Sequence, residues 1–248
     1  MPKVITEWSG NIAILRLNNG VVNGISCELA DDLAKAVNAV KDEADGLLLA
    51  GGEKFFCIGL DLPSLLELSR VEMRDFLYKF NNVTFDIFKI LMPTACVLSG
   101  HAVAGGNILA LACDYRFASF DDKKIGLNEV KLGLPVPYLP DMILRQVVGD
   151  REAKEMIYTG EFISFGEAKK IGLIDEIYPL QELEDAVIEK IAKIAKLYKP
   201  AFLAIKENRI EEICYKYEKN YKLKSEIFLD CWFNKQVRKL LEKAAEKF

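Results

Sequence analysis

The chain has 248 residues, of which 51% are hydrophobic and 28% are charged, and its formal net charge is -4. This composition is typical of a globular protein and excludes a disordered or fibrous chain, and the acidic balance argues against a nucleic-acid partner. A single histidine and six cysteines without a CxxC pair argue against a metal site and a disulfide framework.

The apolar segments are too short to cross a membrane. The longest of them, residues 103–113, contains glycines and stays below the roughly 18 residues that a spanning helix needs. The first seven residues resemble neither a signal peptide nor a transit peptide. We therefore expect a cytoplasmic protein that does not bind membranes.

The first forty residues predict a β-hairpin followed by a helix. Residues 4–8 and 11–17 have strand character and are separated by a Ser-Gly turn. Ser26 is suited to the N-cap of a helix that ends near Lys41. The apolar residues of this helix recur with helical spacing, which predicts one buried stripe. They are Leu29, Leu33, Val37 and Val40.

Two more strands and a long helix follow. Residues 46–50 and 94–99 are short apolar runs, which is typical of strands buried on both faces. Residues 63–90 between them have a helical pattern, and Pro63 suits a first turn. Because strand, helix and strand alternate, the sequence predicts an α/β fold with a largely parallel sheet.

Helical patterns dominate from residue 150 onward. The predicted helices are residues 151–158, 165–171, 180–197, 200–213 and 217–247. The last one carries more apolar surface than can be left in water, and we expect it to pack on the core or on another subunit. Its large apolar residues include Trp232, Phe233, Val237 and Leu241. We divide the chain into an α/β core, residues 1–195, and a C-terminal helical region, residues 196–248, for packing and oligomerisation.

Residues 54–62 form the first segment with chemical potential. They follow a predicted buried strand and contain Gly59. Glycine lets the backbone approach a ligand closely, and amides just after a strand can point at a negatively charged oxygen. The segment is also explained as a strand-to-helix turn in which Asp61 caps the helix. Taken alone, it leaves both interpretations open.

The second segment is residues 100–116, where a strand ends in small residues. A helix that is apolar nearly all round begins at Gly105 and Gly106, so it should be buried, with its first amides aimed at a ligand. A dinucleotide site is disfavoured because the GxGxxG spacing and the acidic residue for a ribose are both missing.

The third segment is residues 125–135, in which Glu129 lies among apolar residues. Burial would raise the pKa of this carboxyl toward that of a useful general base. The neighbouring Asn128 and Lys131 equally allow a solvated turn. One carboxylate by itself does not decide between these interpretations.

The three segments, in this order, closely resemble those of the crotonase (enoyl-CoA hydratase/isomerase) family. The matching sequences are FCIGLDL at residues 56–62, GHAVAGG and LALACDYR within residues 100–116, and GLNEVKLGLP at residues 126–135. The resemblance continues through residues 145–149, 159–160 and 167–176, and it covers essentially the whole chain. It implies a spiral of β-β-α units followed by a C-terminal helical region.

The resemblance also implies site residues and partners. The two backbone amides that hold the thioester oxygen in this family carry over to Ile58 and Gly105. The substrate path is expected to include Ile58, Gly59, Leu60, Asp61, Leu62, Gly105, Ile108 and Asn128. The partner is an acyl-CoA thioester, whose coenzyme A belongs to the substrate, and no separate cofactor is expected. Family members usually form trimers or dimers of trimers, so we expect a homotrimer or homohexamer.

The choice of reaction rests on two positions. Hydratases of the family use two glutamates to handle water; the second matches Glu129, but the first falls on Ile108, which cannot exchange a proton. One carboxylate is enough to move a double bond, and the GLNE sequence looks like that of the Δ3,Δ2-enoyl-CoA isomerases, so we predict this activity. A residual hydratase, a thioester hydrolase, a decarboxylase and a non-catalytic acyl-CoA-binding subunit remain alternatives.

Three other residues could suggest chemistry. His101 is the only histidine, but no partner lies near it in sequence, so we predict a structural role. Cys57 and Cys113 lack an accompanying base, so we assign both thiols to packing.

Overall fold

The computed structural model of the protein describes residues 1–120 and 122–246. The strands in these ranges are β1 (Val4–Ser9), β2 (Ile12–Leu17), β3 (Gly46–Ala50), β4 (Phe55–Cys57), β5 (Thr94–Leu98), β6 (His101–Val103), β7 (Tyr115–Ser119), β8 (Lys124–Gly126), β9 (Ile163–Ser164) and β10 (Glu176–Tyr178). The α-helices are α1 (Cys27–Val40), α2 (Leu62–Leu65), α3 (Arg70–Lys89), α4 (Gly105–Leu111), α5 (Tyr138–Thr159), α6 (Phe165–Lys170), α7 (Leu180–Ala195), α8 (Lys199–Trp232) and α9 (Lys235–Ala245). A 3-10 helix, Glu129–Leu132, precedes α5.

The strands form two sheets, and the strands of one sheet are interspersed along the chain with those of the other. One sheet has the order β1-β2-β3-β5-β7-β10, and the other has the order β4-β6-β8-β9. Only the first hairpin and the β8–β9 pair are antiparallel; the other pairs are parallel. From β3 to β8, each strand of the larger sheet is followed by a strand of the smaller sheet and then by helical structure, which confirms the α/β fold with a largely parallel sheet and repeated β-β-α units.

The central strands of the larger sheet are buried on both faces, as the apolar runs predict. Every residue of β3 and β5 is buried. Helix α7 covers one face with Leu183, Val187 and Ile191, and the main core covers the other. A side chain at Gly46 would meet Ile191 within 2.5 Å, so the helix lies directly against the strand.

Helix α1 forms as its sequence predicts. The Ser26 hydroxyl accepts a hydrogen bond from the Leu29 amide at 3.2 Å, which caps the helix. The predicted apolar stripe is buried. It faces α3 and the first two strands, whose contacts fix the helix in place.

The helical stretch predicted over residues 63–90 is confirmed, with Pro63 in a first turn, but it is interrupted once. The chain forms the short α2, leaves helical geometry, and starts α3 with Ser69 as its N-cap. The Ser69 hydroxyl accepts from the Glu72 amide, while the Glu72 carboxylate accepts from the Ser69 amide. This capping box satisfies donors that a continuing helix would have used, and its Ser-x-x-Glu pattern is visible in the sequence.

Helix α5 begins earlier than predicted. The predicted helix at residues 151–158 is only its second half, because helical structure already starts at Tyr138. The two halves join at Gly149, whose φ of 83° and ψ of 159° are not helical. A glycine tolerates this conformation without a steric penalty.

The C-terminal helices also differ from the prediction. The two predicted helices, residues 200–213 and 217–247, are joined across residues 214–216 in the 34-residue α8, and the break comes at Phe233 and Asn234 instead. No glycine or proline stands at residues 214–216, so nothing there ends the helix. Residues 247 and 248, where the predicted helix and helical region end, lie outside the described residues.

Helix α8 is attached to the core by a buried lysine. The Lys206 ammonium donates to the Met92 carbonyl at 2.7 Å and to the Asp114 carboxylate at 2.8 Å. Trp232, near the end of α8, is fully buried within the chain, as is Leu241 in α9. The predicted boundary at residue 195 falls between α7 and α8, and the two-part division of the chain stays a prediction.

The described helices include none with both the length and the apolar character that crossing a membrane requires.

Candidate active site

The predicted chemical segments meet at one cavity of about 470 Å³. This catalytic cavity lies within the size range usual for ligand sites. Its wall includes seven of the predicted site residues: Ile58, Leu60, Leu62, Gly105, Ile108, Asn128 and Glu129. Residues from α3, α8, α9, the 3-10 helix, β4 and several loops complete the wall, so its shape depends on the whole fold.

Close backbone contact joins the first two segments. A side chain at Gly59 would come within 2.9 Å of the Gly105 amide nitrogen, and one at Gly106 would overlap the Cys57 carbonyl oxygen. Gly59 also has a φ of 98°, which favours glycine. These glycines let the start of α4 lie directly beside the chain after β4.

Helix α4 is buried along its whole length, as predicted. Gly105 is its first residue, so no carbonyl within the helix can accept from its amide. The same residue lines the catalytic cavity. The amide is therefore available to a ligand oxygen, and its role in holding the thioester oxygen stays a prediction.

The Ile58 amide is differently placed. It donates to the Val22 carbonyl at 3.2 Å, a long hydrogen bond. For this amide to hold a thioester oxygen, its bond to Val22 has to be shared or broken. The predicted pair of oxyanion donors therefore consists of one helix-start amide and one amide that is already bonded to the main chain.

Glu129 is buried, so the solvated-turn interpretation is wrong. It begins the 3-10 helix, only 7% of it is exposed, and its Oε2 atom has no hydrogen-bond partner among the described residues. Burial raises the pKa of the Glu129 carboxyl from 4.5 to about 7. The neighbouring Asn128 also keeps its buried Oδ1 atom without a partner in the described chain.

Ile108 lies in the same wall and is 4% exposed. Of the described residues that line the catalytic cavity, Glu129 is the only carboxylate. The structure thus brings together the two positions on which the choice of reaction depends. At one of them the Ile108 side chain has no group that can exchange a proton.

Two predicted residues are outside this wall. Gly59 supports the packing of α4 described above. Asp61 is the N-cap residue of α2, as the turn interpretation expects, but its side chain makes no capping hydrogen bond. Its Cβ atom would lie 3.3 Å from a side chain at Gly24. Substrate contact by Asp61 and Gly59 stays a prediction.

The helical part of the wall was not predicted. It includes Leu77 and Phe80 from α3, Phe228 from α8 and Ala244 from α9. In the sequence these residues resemble any other apolar positions of amphipathic helices. No local signal distinguishes a residue that lines a cavity from one that fills the core.

The remaining candidates have structural roles, as predicted. The His101 Nδ1 atom accepts from the Lys124 amide at 2.9 Å, and its ring lies 5.3 Å from that of Phe55. Burial lowers the pKa of His101. Cys57 and Cys113 are buried, and burial raises the pKa of the Cys57 thiol to about 12, so it stays protonated.

The family is shown by comparison with known proteins. The model of the enoyl-CoA hydratase/isomerase family matches residues 7–248. The chain therefore belongs to this family, the crotonases, and is a crotonase-family acyl-CoA enzyme.

Individual relatives carry different names. Human mitochondrial methylglutaconyl-CoA hydratase is 32% identical over 232 residues, which cover 85% of this chain and 68% of that protein. An enoyl-CoA isomerase/hydratase of Mycosarcoma maydis is 38% identical over 133 residues, or 54% of this chain, and the match spans about half, 48%, of that relative's length.

The fold is shared with a solved structure. Human mitochondrial Δ3-Δ2-enoyl-CoA isomerase superposes with a TM-score of 0.94 at 21% identity, covering 99% of this chain and 97% of that one. At this identity the similarity establishes the fold alone.

Proposed function

We propose that the protein converts a 3-enoyl-CoA into a 2-enoyl-CoA, with Glu129 as the only acid/base group. The observation that carries the proposal is that Glu129 is the single carboxylate among the described residues of the catalytic cavity, with Ile108 in the same wall. Moving a double bond needs one group that takes a proton and returns it. Hydration also needs a water molecule to be positioned and deprotonated, for which the family uses a second glutamate.

The proposed reaction balances without water or a cofactor. The Glu129 carboxylate removes a proton from C2, and the electrons of the C–H bond move toward the thioester oxygen to give a dienolate. The neutral Glu129 carboxyl then donates the same proton to C4. The thioester carbonyl re-forms, and the double bond lies between C2 and C3.

The electrostatics of the cavity favour these two proton transfers. A pKa of about 7 leaves Glu129 substantially ionised near neutral pH, yet its conjugate acid can still return the proton. The Gly105 and Ile58 amides would hold the negative charge on the thioester oxygen. Such donors each contribute roughly 10²–10³ in rate.

Asn128 is the proposed substrate contact beside the base. Its buried Oδ1 atom has no partner among the described residues, and the residue lines the catalytic cavity. A buried acceptor of this kind gains free energy when a ligand donor reaches it. A simple acyl-CoA has its donors in the amides and hydroxyl of its pantetheine and in its nucleotide, so we expect Asn128 to contact the coenzyme A portion.

Hydration of a 2-enoyl-CoA is the second candidate, because a relative at 32% identity is named a hydratase. The two reactions are separated by incubating the purified protein with a 3-enoyl-CoA and, in parallel, with a 2-enoyl-CoA. We expect 2-enoyl-CoA from the first and almost no 3-hydroxyacyl-CoA from the second. Rapid hydration by the wild-type protein would refute the isomerase assignment.

The substitution Ile108→Glu sharpens this test. A second carboxylate in the catalytic cavity should allow weak hydratase activity, because it can hold a water molecule. Two like charges in one apolar cavity raise at least one carboxyl pKa, so the new activity should increase with pH. Ile108→Gln is the matched control, since it adds a polar group of similar size without a base. Equal hydration by both variants would contradict the argument.

The remaining expectations stand as proposals. We propose a cytoplasmic enzyme without a cofactor that assembles as a homotrimer or homohexamer. Trp232 and Leu241 do not support assembly, because the chain itself buries both. Leu223, Ile227 and Leu240 support it, because all three are exposed apolar residues. Light scattering that gives only a 27.9 kDa species would contradict the oligomer, and fractionation of cells that express the chain tests the location.

A further inference from the structure

Three cavities meet at Phe228 and Pro137. Both residues line the catalytic cavity, a groove of about 660 Å³ between α5 and α8, and a small cavity of about 10 Å³. Leu77 lines the catalytic cavity and the small one. The catalytic cavity is thus separated from the α5–α8 groove by the thickness of these side chains.

The partition combines the ring of Pro137 with the larger side chain of Phe228. Pro137 precedes the first turn of α5, and its ring fixes the backbone φ. Phe228 projects from α8, is 4% exposed, and stacks on Trp232 with 6.1 Å between ring centroids. Removing the Phe228 ring therefore removes much of the partition while Pro137 and Trp232 stay in place.

The groove on the other side has a mixed lining in which apolar side chains offer contacts for hydrocarbon. Its apolar lining includes Val136, Met142, Ile213 and Ile227, and a methionine adapts easily to a flexible chain. Charged groups also line this groove, but several neutralise each other. Asp141 accepts from Arg145 at 2.7 Å, and Glu212 accepts from Lys216 at 2.6 Å.

We infer that Phe228 closes the acyl end of the catalytic cavity and determines the longest acyl chain that the protein binds. The three side chains of the partition, Leu77, Pro137 and Phe228, are apolar, which suits the end of a hydrocarbon chain and not the polar coenzyme A. When the ring is removed, the catalytic cavity and the α5–α8 groove become continuous, and the distal part of a longer chain lies in the groove. The inference rests on the proposed function, since it takes an acyl-CoA as the substrate.

The test measures binding, so it does not depend on which reaction the protein catalyses. Calorimetry gives the affinity of the full chain for saturated acyl-CoAs of increasing length. For the wild type, affinity should rise with each added methylene and then stop rising. In Phe228→Ala this plateau should move to longer chains, and affinity for the longest should rise at least about tenfold, the usual minimum for filling an apolar pocket.

Two variants control for a general loss of side-chain packing around α8. Phe202→Ala removes a ring from the same helix, and Phe202 lines neither the catalytic cavity nor the groove; its plateau should match the wild type. Adding Ile227→Trp to Phe228→Ala should fill the groove and reverse the gain for long chains while affinity for short chains is kept. If Phe228→Ala fails to fold, Phe228→Leu should give a smaller shift in the same direction.

Each outcome decides the inference. An unchanged plateau in a folded Phe228 variant overturns it, as does an equal shift in Phe202→Ala. A shifted plateau in a protein that does not isomerise 3-enoyl-CoA supports the inference and refutes the proposed reaction. A wild type that binds no acyl-CoA refutes both.

Discussion

Lys206 and Glu129 both carry ionisable groups with less than a tenth of the residue exposed, at 4% and 7%, but their surroundings differ. The Lys206 ammonium has a carboxylate and a carbonyl within 2.8 Å. Glu129 has an Oε2 atom without a partner in the described chain, and its pKa is raised to about 7. One buried group is satisfied by the fold, and the other is left for a ligand.

Arg116 belongs with Lys206 in this comparison. Its guanidinium donates to the carbonyls of Leu173 and Cys113 at 2.7 Å and lies 3.5 Å from Asp175. Buried charges with complete hydrogen bonding are structural, because the fold compensates their desolvation. A buried carboxylate without such compensation costs stability, so its retention points to function.

The largest expected effect comes from Glu129→Gln. The amide keeps the shape of the side chain but cannot take a proton, so we expect isomerase turnover to fall by at least about 10²-fold. Acyl-CoA affinity should hardly change. Steady-state kinetics and calorimetry on the same preparation separate the two effects, and half the wild-type activity would rule out the assigned role.

Removing the Lys206 ammonium should instead lower the free energy of unfolding. Lys206→Met leaves the Asp114 carboxylate without its ammonium partner, and removing one member of a buried pair costs about 3 kcal/mol or more. Denaturant unfolding measures the loss. Lys219→Met, at an exposed position of the same helix, is the control and should change stability very little. Equal losses in both variants would remove the contrast between the two buried groups.

The buried Glu129 carboxyl should also make the free energy of unfolding depend on pH. Between pH 4.5 and about 7 the folded protein keeps a proton on Glu129 that the unfolded chain has lost, so ionisation destabilises the fold as pH rises. A pKa raised from 4.5 to about 7 corresponds to about 3 kcal/mol above pH 7. Glu129→Gln should therefore be more stable than the wild type at pH 8, with little difference at pH 4.

Ionisation of Glu129 lowers the stability of the fold as pH rises, but it should raise the activity of the wild type. Because the base must be ionised, kcat/KM should fall about tenfold per pH unit well below the Glu129 pKa. A profile that stays flat down to pH 5 would show that Glu129 is not the base.

The smallest effect is expected for Asp175→Asn. Arg116 keeps its carbonyl acceptors, and the new side chain still offers an oxygen to the Arg116 amide, which now donates to Asp175 at 2.7 Å. The loss of a partly exposed ion pair should cost no more than about 1 kcal/mol. A loss as large as that of Lys206→Met would mean that Arg116 depends on the carboxylate and not on main-chain carbonyls.

The sequence alone established the features that consecutive residues encode. The buried strands, the capped α1, the order of the three chemical segments and the identity of Glu129 as the base candidate all come from local patterns. The family resemblance follows for the same reason, since its motifs are short segments with fixed chemistry. Even the break before α3 was readable, because Ser69 and Glu72 form a capping box whose spacing is visible.

Only the tertiary structure decided what depends on residues far apart in the chain. Leu77, Phe228 and Ala244 form one wall of the catalytic cavity, yet each looks like an ordinary core residue of its helix. The Ile58 amide could not be known to bond to Val22. Burial is a property of the packed fold, and it is burial that removes Glu129 from water and raises its pKa, since an apolar sequence neighbourhood does not by itself exclude solvent.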